Sequence, residues 1–244
     1  MNYKMTIQYD GARYSGWQRQ GNTERTIQGR LEQSLSELLG TPTEIHGSGR
    51  TDAGVHALGQ VASFQTDAPI PDCGQFLIQL NHALPSDIAV TKLDAASPRF
   101  HARLNAKEKM YRYWIWNSPI PNVLYRRMMY TVEQPLDVEA IKLAAARLVG
   151  THDFLGFSTD HTKKSTVRHL RSVDVSSDGD LIEIQYTGNG FLRSMARIIT
   201  GTLIEVGLHQ RTPESILEIF ESRDRSNAGF TAPAQGLCLM EVFY

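Results

Sequence analysis

The stretch Tyr3–Tyr9, with the sequence YKMTIQY, alternates apolar with polar side chains. A period of two residues is typical of a strand that buries one face. The residues that follow predict, in order, a helix, two strands, a helix and a strand, at 26–39, 44–46, 60–66, 74–84 and 87–94. Gly40, directly after the first helix, is a typical helix stop. The first part of the chain therefore predicts the order β-α-β-β-α-β.

The second part of the chain repeats this order. Its patterns predict strands at 109–117, 167–176, 180–188 and 236–244, and helices at 138–149, from about 191 to 206, and after Pro213. Asp137 is a suitable N-cap for the first of these helices. Two split β-α-β patterns predict an α+β fold of two ferredoxin-like halves, with mainly antiparallel sheets flanked by helices and a cleft between them. We place an N-terminal domain at residues 1–103 and a C-terminal domain at residues 104–244.

The composition is that of an ordinary globular protein. Hydrophobic residues make up 41% and charged residues 21% of the 244 residues, which excludes collagen-like, coiled-coil and wholly disordered chains. No apolar run approaches the roughly 20 residues of a membrane helix, and no secretory signal is visible. Cys73 and Cys238 lie far apart without a CxxC motif, so they indicate neither a disulfide framework nor a zinc site. We expect a reduced, cytoplasmic protein with no membrane association.

Positive charge is unevenly distributed along the chain. The formal net charge is −1, yet residues 97–131 contain seven basic residues and one acid. Segregated positive stretches can attract a polyanion locally even when the whole protein is nearly neutral. The alternative is that these stretches are ordinary solvated surfaces.

The sequence GSGRTDAGVH at residues 47–56 combines three glycines with Asp52. A loop of this kind can present a carboxylate from a strand end into a cleft, which is a usual place for reactive groups. The alternative is a turn in which Asp52 accepts hydrogen bonds from its own backbone amides. A phosphate-binding P-loop is not indicated, because no GKS or GKT sequence is present.

A second stretch, which ends at Arg197, contains two arginines at a defined spacing. Arg193 and Arg197 lie four residues apart in a predicted helix, so they would share a face near its N-terminus. Repulsion between them and with the helix dipole favours an anionic partner, a carboxylate or a nucleic-acid phosphate. Ordinary surface arginines are the alternative.

Basic and aromatic residues alternate between Phe100 and Trp114. In a strand, Tyr111 and Tyr113 would point to one face while Arg112 and Trp114 point to the other. Interleaved aromatic and basic side chains suit a surface where bases stack and phosphates pair. An aromatic strand packed in a core is the alternative, and no motif of the RNA-recognition type is present.

Taken together, these stretches resemble one family closely, the TruA-type tRNA pseudouridine synthases. The resemblance runs almost from end to end, and two departures are Ala196, where Val is common, and Arg193, where His is often found. The shared motifs are Tyr9-Asp10-Gly11, Gly16-Trp17-Gln18, GRTDAGVHA at 49–57, Leu80-Asn81, FHAR at 100–103, Lys109-x-Tyr111-x-Tyr113, His152-Asp153-Phe154, Asn189-x-Phe191 through Arg197, and Ala232-Pro233-Ala234-x-Gly236-Leu237.

The resemblance implies isomerisation of uridine to pseudouridine at positions 38, 39 and 40, in the anticodon stem and loop of tRNAs. It implies a homodimer that uses no cofactor and no metal. By the same resemblance Asp52 is the catalytic nucleophile and pairs with Arg197. Tyr111 would pack on the target uracil, Arg50 would help to displace the base, and Leu237 would line the pocket.

We also expect Arg103, Lys109 and Arg193 to contact the RNA. Two alternative functions stay open: a related synthase that modifies other tRNA positions, and a non-catalytic RNA-binding module. A glycoside or nucleoside hydrolase would need a second catalytic carboxylate, and the motifs provide no obvious one.

Overall fold

A computed structural model describes residues 1–159 and 165–244 of the chain. These residues form two compact units. The first unit contains Met1–Lys107 together with Leu239–Tyr244, and the second contains Glu108–Cys238. In the described ranges, no helix is both long enough and apolar enough to cross a membrane.

The described residues contain ten strands and five α-helices. The strands are β1 (Asn2–Tyr9), β2 (Ile45–Gly47), β3 (His56–Gln65), β4 (Ile88–Ala96), β5 (Glu108–Asn117), β6 (Tyr130–Val132), β7 (Gly150–Asp153), β8 (Val167–Asp178), β9 (Leu181–Gly188) and β10 (Leu237–Phe243). The helices are α1 (Ile27–Leu39), α2 (Cys73–Ala83), α3 (Val138–Ala146), α4 (Met195–Gly207) and α5 (Ser215–Ser222). The predicted α+β class is confirmed. β1–β3, β1–β4, β2–β3, β5–β9, β7–β8 and β8–β9 are antiparallel pairs, whereas β5 and β6 pair in parallel.

In the first unit, β1 lies between β3 and β4 and runs antiparallel to both. β2 pairs with β3 along the edge opposite β1, and the end of β10 also lies beside β3 on that edge. The alternation predicted for β1 is confirmed, because Tyr3, Met5, Ile7 and Tyr9 are all buried. The order β1-α1-β2-β3-α2-β4 is the predicted one.

Helix α1 shows how local sequence sets an element's ends. The Thr26 hydroxyl accepts a hydrogen bond from the Gly29 N–H at 3.2 Å, which satisfies one of the unpaired amides of the first turn. At the other end, Gly40 has a φ of +69°, a left-handed conformation that glycine adopts without strain. The predicted stop at Gly40 is therefore confirmed.

In the second unit the strand order is β5-β9-β8-β7, and β6 pairs with β5. The hairpin predicted around Gly179 joins β8 to β9. The Asp137 carboxylate caps α3 by accepting a hydrogen bond from the Ala140 N–H at 3.0 Å, as predicted. Helix α3 ends at Ala146, before the predicted end at residue 149, and Gly150 (φ +114°) begins β7.

The start predicted for α4 is wrong. The helix begins at Met195 and not near residue 191, because Ser194 has a φ of 59° and so lies in the left-handed region. Arg193 therefore precedes the helix, while Arg197 lies in its first turn. The prediction that these two arginines share a helical face is wrong for the same reason.

Candidate active site

Asp52 lies in the loop between β2 and β3, in the first unit, and its side chain is half-buried. Hydrogen bonds hold the residues beside it. The hydroxyl groups of Tyr9 and Thr51 are 2.8 Å apart, and the Trp17 N–H donates to the Thr51 carbonyl at 3.1 Å. The Val55 N–H donates to the Asp52 carbonyl at 3.2 Å, which closes a turn. The backbone on both sides of Asp52 is therefore fixed.

Two glycines allow another segment to lie directly against this loop. Gly16 has a φ of +100°, and a Cβ there would lie 2.8 Å from the Thr51 carbonyl oxygen. A Cβ on Gly11 would lie 2.0 Å from the Val55 carbonyl oxygen. Since real Cβ atoms do not approach oxygen so closely, only glycine fits at these positions.

The start of the loop is held by β3. Gln60 is fully buried. Its carbonyl oxygen Oε1 accepts from the Ser48 hydroxyl at 2.7 Å, and its amide nitrogen donates to the Gly49 carbonyl at 3.0 Å. The Ser48 N–H donates to the Val61 carbonyl at 2.7 Å. These hydrogen bonds fix residues 48 and 49, at the start of the loop, to strand β3.

Arg50 is exposed, two residues before Asp52. Its Nε donates to the Gln18 side-chain oxygen at 3.0 Å, and the Gln18 amide nitrogen donates to the Gln28 oxygen at 2.7 Å. The guanidinium of Arg50 is thus directed by a chain of two glutamines that leads back to α1. The Arg50 side chain is therefore held in one direction, two residues before Asp52 in the sequence.

The segment that contains Asp10 and Gly11, which lies against the loop, is held by His56. The imidazole Nδ1 of this buried side chain lies 3.1 Å from the Gly11 N and 3.1 Å from the Asp10 carboxylate. Nδ1 accepts from Gly11 in one tautomer and donates to Asp10 in the other. The Asp10 carboxylate also accepts from the Ala12 N–H at 2.9 Å.

In the second unit, Tyr111 lies on β5 and its side chain is 7% exposed. Its ring meets the Phe191 ring edge-on, with the centroids 4.9 Å apart. As predicted, Tyr111 and Tyr113 are both buried on one face of β5, whereas Arg112 and Trp114 are half-buried on the other. Phe191 therefore fixes the orientation of the Tyr111 ring.

Tyr113 packs in the interior of the second unit. Its hydroxyl donates to the Pro233 carbonyl at 2.8 Å. Burial raises the pKa of the Tyr113 phenol, so the hydroxyl stays protonated and remains a donor. A Cβ on Gly236 would lie 2.4 Å from the Tyr113 ring, so the chain before Leu237 packs directly on it. The core-strand interpretation is right for Tyr113.

Arg197 is joined to the same stretch of chain. Its Nε donates to the Ala232 carbonyl at 2.8 Å, and the Ala232 N–H donates to the Arg197 carbonyl at 3.0 Å. Leu237 begins β10 and is buried. The second unit therefore brings Arg197, Tyr113 and Leu237 together around residues 232–237.

The three residues expected to contact RNA are more dispersed. Arg193 is exposed, and Lys109 is half-buried at the start of β5. Arg103 is exposed on a turn of the first unit, where the His101 Nδ1 accepts from the Arg103 N–H at 3.1 Å. The same nitrogen accepts from the Leu104 N–H at 3.4 Å, so the backbone that carries Arg103 is ordered by one imidazole.

Sequence reasoning assigned no role to the segment that supports the Asp52 loop. Tyr9, Gly11, Gly16 and Trp17 belong to the motifs that carry the family resemblance, and the sequence alone indicates no structural role for them at the loop of Asp52. The available signal was a strand followed by two glycines and a tryptophan, which indicates a close backbone approach. It could not show that the approached partner is the loop of Asp52.

The chemistry available is that of a half-buried carboxylate on a fixed backbone, with an arginine two residues earlier in the sequence. An ionised carboxylate in such a place can act as a nucleophile or as a general base. Among the residues that the structure describes, no group of three or more His, Cys, Asp or Glu could hold a metal ion.

Comparison with known proteins gives a consistent result. Residues 5–105 and 144–244 match the family described as tRNA pseudouridine synthase. The chain is 48% identical to tRNA pseudouridine synthase A 2 of Bacillus anthracis over 242 residues, which cover 99% of this chain and 98% of that protein. It is 47% identical to tRNA pseudouridine synthase A of Geotalea uraniireducens (99% and 98% covered), and 44% identical to that of Acetivibrio thermocellus (100% and 99% covered).

We predict that Gly16→Ala lowers the free energy of unfolding by about 2 kcal/mol, because the new Cβ meets the Thr51 carbonyl in a strained backbone conformation. Urea denaturation of the full chain measures this change. Gly40→Ala is the matched control, since Gly40 also has positive φ but a Cβ there meets nothing within 4 Å. An equal loss in both variants would show that close packing on the loop contributes nothing.

Proposed function

The chain belongs to the tRNA pseudouridine synthase family, and on that premise we propose that it converts uridines 38, 39 and 40 in the anticodon stem and loop of tRNAs to pseudouridine. As a member of this family it is an isomerase that forms pseudouridine in tRNA. The observation that carries the finer proposal is the Gly49-Arg50-Thr51-Asp52 loop, whose backbone is fixed by hydrogen bonds and whose Asp52 side chain is half-buried.

The reaction needs no outside reagent. Uridine and pseudouridine contain the same atoms, so the N1–C1′ bond of uridine breaks and a C5–C1′ bond forms. The proton of C5 leaves to a base, and N1 gains a proton. Because nothing is oxidised, reduced or hydrolysed overall, we propose that the enzyme works without a cofactor or metal.

We propose that Asp52 is the nucleophile. Its carboxylate can attack the sugar carbon or the uracil ring, or it can act as a base that helps to expel uracil through a glycal. Each route starts from the ionised form, which a neighbouring cation stabilises. We assign that role to Arg197, whose position at the start of α4 is held by the Ala232 carbonyl.

The target base must leave the stacked arm before it can react. Flipping a base costs a few kcal/mol, and stacking on an aromatic ring returns about 1–3 kcal/mol. We propose that Tyr111 packs on the flipped uracil, supported by the orientation that Phe191 gives its ring. Arg50 helps to displace the base, and Leu237 lines the pocket.

Arg103, Lys109 and Arg193 are the proposed contacts to the RNA backbone. Exposure of Arg103 and Arg193 supports this role, because a guanidinium in water can pair with phosphate at little desolvation cost. The ordered turn of His101 presents Arg103 in one backbone conformation. Such contacts position the RNA and carry no base specificity.

Replacing Asp52 with Ala, or with the isosteric Asn, should lower pseudouridine formation by at least about 1000-fold, because the carboxylate makes the reacting bond. Binding of tRNA should be retained. Tritium release from tRNA labelled at C5 of uridine measures turnover, and chemical mapping of pseudouridine identifies the positions. Asp67→Asn, which changes an exposed carboxylate in the same unit, is the matched control.

Three outcomes would contradict parts of this proposal. Turnover by the Asp52 variants at the rate of the Asp67 variant would reject Asp52 as the nucleophile. Product of the unaltered enzyme at other positions would favour a synthase with a different set of sites. Tight tRNA binding without product from the unaltered enzyme would favour a non-catalytic RNA-binding module.

For Tyr111, we expect Phe to keep turnover within about threefold and Ala to lower it at least about tenfold, since only Ala removes the stacking surface. Because Tyr111→Ala also leaves a cavity beside Phe191, the assays are run well below the thermal midpoint of each variant. Ile184→Ala, which truncates a fully buried side chain of β9, controls for loss of stability. Equal turnover of the Phe and Ala variants would count against stacking.

We further propose that the enzyme is a cytoplasmic homodimer. Apart from the resemblance, support comes from five large apolar side chains that an isolated chain exposes to water between β5 and β6, namely Ile120, Val123, Leu124, Tyr125 and Met128. Sedimentation should give twice the chain mass of 27.4 kDa. Leu124→Glu should lower the dimer fraction, whereas Ile78→Glu on α2 should not. A monomer in the unaltered protein would reject the dimer.

A further inference from the structure

The first unit contains an open groove of about 830 Å³ that the proposed reaction does not use. Its charged and phenolic lining residues are Arg13, Tyr14, Arg25, Arg30, Glu37 and Asp87. We propose that this groove binds the sugar-phosphate backbone of the tRNA outside the nucleotide that is modified. The inference rests on the proposed function, because it assumes a tRNA substrate.

The backbone that carries two of these arginines is held in place. The Ser15 N–H donates to the Arg25 carbonyl at 2.7 Å, which joins the residue after Tyr14 to Arg25 itself. The Tyr14 hydroxyl donates to the Asp87 carboxylate at 2.5 Å. Arg13 and Arg25 therefore project from fixed points, and binding an anion there requires little ordering of the main chain.

The carboxylates of the groove are engaged by neutral donors. Asp87 accepts from Tyr14, and Glu37 accepts from the Gln33 amide at 3.1 Å. None of the three arginines makes an ion pair with a described residue, in contrast to Arg19, which pairs with Glu32 at 2.9 Å. Arg30 donates to the Gln33 side-chain oxygen at 3.3 Å, which is a neutral partner. All three guanidinium groups can therefore still pair with an external anion.

The chemistry of arginine favours phosphate as that anion. The guanidinium is always charged, and its planar donors match two oxygens of one phosphate. Arg13 ends a short 3-10 helix (Gly11–Arg13), Arg25 lies in the loop before α1 and Arg30 lies on α1, so the three cations come from different segments that line an open groove. Several cations spread along one groove suit a chain of phosphates better than one small anion.

The groove is connected to the Asp52 loop through a single rigid segment. Gly11 and Gly16 lie against the carbonyl groups of Val55 and Thr51, and Arg13 and Tyr14 lie between these two glycines in sequence. RNA held at Arg13 is thereby held on the segment that braces Asp52. Anchoring substrate and reacting group on one rigid part lowers the entropy cost of reaching the reactive geometry.

The test compares two variants that each lower the formal net charge from −1 to −3. Arg13→Gln/Arg25→Gln removes two cations of the groove. Lys92→Gln/Lys142→Gln removes two exposed cations that already pair with Asp94 and Glu139. Affinity for a tRNA transcript is measured over a range of salt concentrations, together with kcat and KM for tritium release.

We expect the arginine variant to bind tRNA about tenfold more weakly at low salt than the lysine variant. The slope of log affinity against log salt concentration should correspond to about two fewer phosphate contacts in the arginine variant. KM should rise with kcat unchanged. Thermal midpoints should stay within about 2 °C of the unaltered protein, because neither arginine is buried or paired.

Equal affinity and equal salt dependence in the two variants would overturn the proposal. A lower kcat with unchanged KM would also overturn it, since the arginines would then act on the Asp52 loop. Saturable binding of inorganic phosphate that the arginine variant loses, together with equal tRNA affinity in the two variants, would assign the groove to a free anion instead. If the unaltered enzyme binds tRNA but forms no pseudouridine, the proposed function fails while the binding comparison still decides the role of the groove.

Discussion

The first unit depends on a contact between two pieces of backbone that leaves no room for side chains. Gly11 and Gly16 lie so close to the carbonyl groups of Val55 and Thr51 that a Cβ at either position would overlap with oxygen. This contact holds the loop of Asp52 against the segment that contains the two glycines. The hydrogen bond from the Trp17 backbone N–H to the Thr51 carbonyl further restricts the loop. A carboxylate on such a support needs little rearrangement when it reacts, which is the main advantage of a preorganised site.

The second unit also contains a close contact that only glycine permits, here between backbone and an aromatic ring. Gly236 lies against the ring of Tyr113, whose hydroxyl donates to the Pro233 carbonyl. Arg197 and Ala232 exchange two hydrogen bonds, so the first turn of α4 and the segment before β10 hold each other. The aromatic and apolar residues proposed to contact uracil thus stand on backbone that is already satisfied. Only the first unit supplies the proposed reacting carboxylate.

Elements long enough to show a repeating pattern of apolar residues were mostly predicted correctly from sequence. The alternation of Tyr3–Tyr9 and the caps of α1 and α3 depend on neighbours within a few residues, so local sequence suffices to identify them. β6 and β7, three and four residues long, were not predicted; of the three short strands in the described ranges only β2 was predicted. The start of α4 was predicted wrongly, because apolar spacing before Met195 continues through a residue, Ser194, whose backbone is left-handed.

The order of the main elements, the motif around Asp52 and the family of the chain can all be recognised from residues in their linear order. The linear order does not show that Tyr9 contacts Thr51, that Tyr14 contacts Asp87 or that three arginines line one groove, and these contacts are seen only in the folded chain. Periodicity and caps arise between residues a few positions apart, whereas Tyr14 and Asp87 are 73 positions apart and meet only after the strands between them have paired.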